Sequence, residues 1–214
     1  MNLDKPLLIL VTSASQMGQG QQTGLWLEEF AVPYKVFKDN NIPVRVASPT
    51  GGKVPIDPRS VPDDEQKEAW KDAIAELENT RPLEEIWEDG FVGVFVPGGH
   101  GAMFDMPDNP LVAGVLERTW AQGGVVSAVC HGPAALVGAR DENGVPLVKD
   151  RRVACFTNEE EREVGVEQPL APTRGGHRLL PQLASGEVRE REGQALLDPG
   201  PRELGPIAQE QPPT

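Results

Sequence analysis

The run Ala128-Val129-Cys130-His131-Gly132-Pro133 joins a short apolar segment to a turn and then to small helix-forming residues. A buried strand that turns sharply into a helix sets its turn residue at the mouth of a sheet, so Cys130 reads as the thiol counterpart of a nucleophile elbow. Unpaired N–H groups and partial positive charge at the helix start lower a thiol pKa and favour thiolate. The same residue also reads as a core cysteine at a strand end. A second turn, Gly98-Gly99-His100-Gly101, follows another apolar run. Its backbone N–H groups face the same crevice, where those of Gly99 and His131 would hold a developing oxyanion. Such a glycine turn is equally a tight connection in its own right. His100, set among glycines that serve geometry, reads as a crevice-lining residue and not as the base.

These residues need a sheet to hold them. Pro6 to Val11, Ile42 to Ala47, Phe91 to Val96 and Val125 to Val129 are short continuous apolar runs, the pattern of strands buried on both faces. Between the first two, apolar residues recur at helical spacing over Gly24 to Asn40, with Pro33 predicting a kink or break. Ser48 to Val61 reads as a Pro- and Gly-rich surface excursion. A polar, mostly solvated helix is expected from Pro62 to about Asn79, a helix from Asn109 to Gln122, and a small apolar helix from Ala134 to Gly138. Alternating strands and helices predict an α/β fold, a doubly wound and mostly parallel sheet with its site at the strands' carboxyl ends.

Residues 1–168 carry this pattern and form one expected domain of the 214-residue chain. Beyond Gln168 there is no Phe, Tyr, Trp, Cys, Met or Lys and no buried-strand pattern. Residues 169–214 therefore read as an atypical Pro-, Gly-, Arg- and Glu-rich tail, the composition of a disordered segment or of a shifted reading frame. Thirty-three acidic residues against 20 basic ones give a net charge of −13, a field that repels phosphate backbones and acidic lipids. Nucleic acid and membrane are accordingly not expected partners. Cys130 and Cys155 are too few for a disulfide framework, and the histidines at 100, 131 and 177 show no metal-ligand spacing. No metal and no cofactor are expected. With no export or membrane-spanning segment, the expected address is the cytoplasm.

Five spaced motifs, taken in order, resemble the ThiJ/PfpI superfamily of class I glutamine amidotransferase-like domains, and within it the glyoxalase III-like chaperone branch. They are Thr23 to Glu29, Ala47 to Gly52 with Pro55-Ile56-Asp57-Pro58, Val96 to Gly101 with Asp105, Ala128 to Pro133, and Phe156 to Glu161. The resemblance covers residues 5 to about 168. It implies a flavodoxin-like sandwich in which a glutamate on the first helix, matching Glu29 with Glu28 as its neighbour and rival, hydrogen-bonds Cys130. It implies His131 as the catalytic histidine, with Glu161 as its acidic partner and Glu160 and Glu159 as competitors in the same acidic run. The reaction implied is cofactor-free conversion of methylglyoxal, a small 2-oxoaldehyde, to lactate, with deglycation of glycated proteins as a sibling activity. A homodimer is expected on the same ground. Two other functions fit the resemblance: a stress-linked holding chaperone that binds unfolded proteins through exposed apolar surface, for which Trp26, Trp70, Trp87 and Trp120 are candidates although tryptophans in amphipathic segments more often serve the core, and an amidase or peptidase using the same cysteine.

Overall fold

The computed structural model describes residues 5–17, 20–151, 153 and 155, together with the backbone of 194–197. Its centre is a twisted sheet of β1 (Leu7–Leu10), β2 (Val44–Ser48), β3 (Arg81–Pro82), β4 (Gly93–Val96), β5 (Val125–Val129) and β6 (Gln194–Leu197), in the order β3-β2-β1-β4-β5-β6. The first five are parallel, and β6 pairs antiparallel with β5. The doubly wound, mostly parallel sheet is thus the one expected. Two strands lie outside the apolar pattern. β3 is only two residues long, and β6 falls in the segment where the sequence carries no buried-strand signal.

The strands alternate side chains between two cores because successive Cβ atoms point to opposite faces. Leu8, Leu10, Val94, Val96, Val126 and Ala128 face one core, where helix α5 (Pro110–Ala121) packs Val112, Val115 and Leu116. Ile9, Val11, Val46 and Phe95 face the other, against Leu27, Phe30, Ala31 and Tyr34 of helix α1 (Leu27–Asp39). Buried faces on both sides are what make these strands read as unbroken apolar runs. Trp70, Trp87 and Trp120 are half-buried and pack against these cores.

α1 starts three residues later than its apolar spacing predicts. Leu25 is held in extended pairing instead, its N–H donating to the Pro55 carbonyl at 2.8 Å and its carbonyl accepting from Asp57 N–H at 2.9 Å. The helix then runs through Pro33 without breaking. The expected polar helix after Pro62 divides into α2 (Asp64–Ala69) and α3 (Lys71–Glu76) at Trp70. Asp63 and Gln66 form a reciprocal capping box at the start of α2, while Ala73 in α3 is buried, so the second half is not a solvated face. Asn109 caps α5 as its sequence position predicts, accepting from Leu111 N–H at 3.0 Å. The short apolar segment after Cys130 is a 3-10 helix, Gly132–Leu136.

The two faces of α1 give a test of this packing. Phe30 is fully buried whereas Val36 is 51% exposed. Phe30→Ala is expected to lower the unfolding free energy by about 3–5 kcal/mol, and Val36→Ala to change it by less than about 0.5 kcal/mol. Urea denaturation of both variants measures this, and equal losses would contradict the assignment of faces.

Candidate active site

β1, β4 and β5 lie in parallel register, with Ile9 opposite Phe95 and Val96 opposite Ala128. Their carboxyl ends therefore finish at one level, and the residues that follow them meet at one edge of the sheet. Gly98 to Gly101 leave β4 there, and Cys130 leaves β5. Cys130 has φ +54°, a left-handed backbone that a side-chain-bearing residue rarely adopts. This is the strained elbow that the sequence predicts, and the cysteine is only partly exposed.

Glu29 reaches the elbow from the first turn of α1. Its Oε2 accepts from Gly98 N–H at 2.8 Å, and its carboxyl group hydrogen-bonds the Cys130 thiol. Glu28, the neighbouring alternative, is exposed. The approach depends on the glycines. A methyl group on Gly98 would lie 2.7 Å from both Cys130 Cβ and Glu29 Oε2. Gly99 has φ +93°, and a Cβ there would come within 2.3 Å of the Gly24 carbonyl oxygen. Leu27 N–H, at the head of α1, is capped from outside by Ser60 Oγ at 2.6 Å.

Burial, and then the negative charge of Glu29, push the Cys130 thiol up to about 12, against the pull of the Gly99 and His131 backbone N–H groups. This corrects the expectation of a thiol lowered by the helix start: that helix is one short 3-10 turn, and desolvation and the carboxylate outweigh it. Burial also raises the Glu29 carboxyl above its ordinary value. Both acids thus resist ionisation in one crevice, where the thiol and the carboxyl group are hydrogen-bonded to each other. The backbone N–H groups of Gly99 and His131, expected to form the oxyanion hole, do converge on Cys130.

His131 is buried, and its Nδ1 lies 3.1 Å from Cys130 Sγ. The His100 ring sits against it, with centroids 4.1 Å apart and planes inclined at 38°. His100 is also buried, and its Nδ1 lies 3.0 Å from Arg59 Nη2. Arg59 is held in turn by Asp57, with Nε to Oδ1 at 2.9 Å and Nη2 to Oδ2 at 2.8 Å. Burial works against the Asp57 charge, but hydrogen bonds from Arg59 and from Thr23 Oγ1 prevail and hold its carboxyl below the usual range. Asp57 belongs to one of the five motifs, yet neither its role nor that of Arg59 follows from the sequence. The available signal is a charged pair two residues apart inside a Pro-rich loop.

Asp105 fastens the loop after β1, accepting from Thr12 Oγ1 at 2.8 Å and Ser13 N–H at 2.6 Å. Glu29, Gly98, Gly99, His100, Cys130 and His131 are thus brought together. Glu161 and its competitors Glu159 and Glu160 lie outside the described residues. Among the described residues no group of three or more His, Cys, Asp or Glu is placed to hold a metal ion, and no helix is long and apolar enough to cross a membrane.

The chain has relatives among known proteins. Glyoxalase 3 of Candida albicans is 30% identical over 203 residues, covering 90% of this chain and 83% of that protein. A glutathione-independent glyoxalase of Schizosaccharomyces pombe is 30% identical over 177 residues, 76% of this chain and 72% of its own. The crystal structure of glyoxalase III from C. albicans superposes with a TM-score of 0.75 at 28% identity, covering 88% of this chain and 84% of that one. Residues 23–171 match the DJ-1/PfpI family, a span that holds the elbow, the glycine turn, Glu29 and the Asp57–Arg59 pair. The chain belongs to the DJ-1/PfpI family.

Proposed function

We propose that this protein is a glutathione-independent glyoxalase that converts methylglyoxal to lactate through Cys130 and Glu29. The observation that carries the reading is the hydrogen-bonded pairing of the Cys130 thiol and the Glu29 carboxyl group beside two converging backbone N–H groups. Relatives named as glutathione-independent glyoxalases support it.

In the proposed reaction Cys130 sulfur adds to the aldehyde carbon, and the thiol proton passes by way of His131 Nδ1 to the former aldehyde oxygen, leaving Glu29 as the carboxylate. The hemithioacetal oxygen is stabilised by the N–H groups of Gly99 and His131. Glu29 then removes the proton from the former aldehyde carbon, giving an enediol, and returns a proton to the adjacent carbon. The product is a lactoyl thioester on Cys130. Water cleaves it, releasing lactate and regenerating the thiol. No net oxidation occurs, because one carbon is oxidised as its neighbour is reduced. The enzyme's own thiol takes the place that glutathione would fill. His131, with Nδ1 on the sulfur, is proposed to stabilise the thiolate and to move its proton.

Methylglyoxal consumption without glutathione, followed by lactate formation, tests the reading. Cys130→Ala is expected to show no turnover above the uncatalysed background, and Glu29→Gln to lose on the order of 10²–10⁴-fold in kcat. A folded wild-type protein that forms no lactate would overturn the proposal, and aggregation suppression retained by Cys130→Ala would then favour the holding chaperone.

A second prediction concerns the thiol itself. Because the Glu29 charge raises the Cys130 thiol, removing it acts in the opposite direction: Glu29→Gln shifts the midpoint of Cys130 alkylation by iodoacetamide to lower pH than in wild type. The Glu29→Gln variant should therefore alkylate faster than wild type at a given pH on the rising limb. Slower alkylation would mean that Glu29 serves instead as the base that ionises the resting thiol.

A further inference from the structure

The proposed reaction leaves one arrangement unused. Asp57, fully buried, grips the Arg59 guanidinium through two parallel bonds and accepts the Arg59 backbone N–H at 3.0 Å. The guanidinium turns its Nη2 toward Nδ1 of His100, and His100 lies ring to ring with His131. We propose that Arg59, fixed by Asp57, is a positioning residue that sets the tautomer of His100 and so leaves the positive charge of the histidine pair to His131.

The tautomer follows from what each group is able to do. A guanidinium has five donors and no acceptor, so in its contact with Arg59 the Nδ1 of His100 accepts. The hydrogen bond made by one ring nitrogen decides which tautomer is present, and this one puts the His100 proton on Nε2. His100 then enters the stack as an uncharged ring. Two imidazolium rings at 4.1 Å between centroids would repel each other, whereas one charged and one neutral ring do not. His131 is the ring with a nitrogen on the sulfur, so the geometry reserves the cation for the ring that uses it. The orientation requires a planar fork gripped at two points, which lysine does not supply. Arg59 acts on the thiol through the two stacked rings, not by its own contact with the reacting atoms.

This assignment rests on the glyoxalase reading only for its kinetic consequence. Long-range ¹H–¹⁵N spectra of the full chain, with His100 assigned by its loss in His100→Gln, read the tautomer directly. Wild type is expected to show His100 with hydrogen on Nε2 and an accepting Nδ1. Arg59→Lys, and the double change Asp57→Asn with Arg59→Met, which leaves no lone buried carboxylate, are expected to abolish that single-tautomer pattern. Both should lower kcat for methylglyoxal about tenfold while KM stays within about twofold, the split expected when a positioning contact is lost. Hydrogen on Nδ1 in wild type, or an unchanged His100 pattern in Arg59→Lys, would overturn the proposal. If the double variant does not fold, Arg59→Lys alone decides. If wild type turns over no methylglyoxal, the glyoxalase reading fails separately. The spectra and the Cys130 alkylation rate, expected to be slower in Arg59→Lys, then decide the role of Arg59 by themselves.

Discussion

The carboxyl group of Glu29 and the thiol of Cys130 meet across a stretch of backbone that bears no side chain, and both are acids taken out of water. Burial disfavours the charged form of each, and the charge of Glu29 further disfavours the thiolate, while the hydrogen bond from the thiol favours the carboxylate. The consequence is a hydrogen-bonded unit in which both groups ionise only above their ordinary range. Much of the surrounding structure follows from keeping that unit together. Gly98 gives the carboxylate a backbone donor where a methyl group would collide with both partners. The left-handed elbow at residue 130 turns the sulfur toward them, and the packing of β5 between β4 and β6 supports that strained conformation.

The sheet contributes through register more than through any single contact. Because β1, β4 and β5 end level, three connecting segments open on the same crevice: the loop fastened by Asp105, the glycine turn and the elbow. The helix that delivers Glu29 belongs to the opposite core from the helix before β5. The two halves of the site thus hang from different layers of the fold, joined at the sheet edge.

Much of this is legible in the residues. Apolar runs without alternation mark the buried parallel strands, and the run Val125 to Val129 has the bounds of β5 itself. Asn109 and Gln122 bracket α5 correctly because capping is a local property. The elbow is visible as a strand ending in Cys130, whereas Glu29 comes through the family resemblance, as nothing in its helix spacing separates it from Glu28. What stays hidden depends on contacts distant in sequence. The split at Trp70 has no Pro or Gly to mark it, Ala73 is buried in the second core, and the two-residue β3 has no pattern to detect. The thiol shift runs opposite to the sequence expectation since a helix start is visible in sequence, while the depth of burial and the approach of a carboxylate are not. The Asp57–Arg59–His100 chain crosses two loops, and only the folded chain brings its members together.

One short turn serves both layers. Ser60 closes the first amide of α1, and Asp57 and Arg59, within the same four residues, aim the guanidinium at His100. A local opening of this segment would uncap the helix that carries Glu29 and release His100 in a single event, so two parts of the crevice with no direct covalent link share one opening equilibrium. The exchange rate of the Leu27 amide then becomes a measure of how much of the time the crevice is fully assembled.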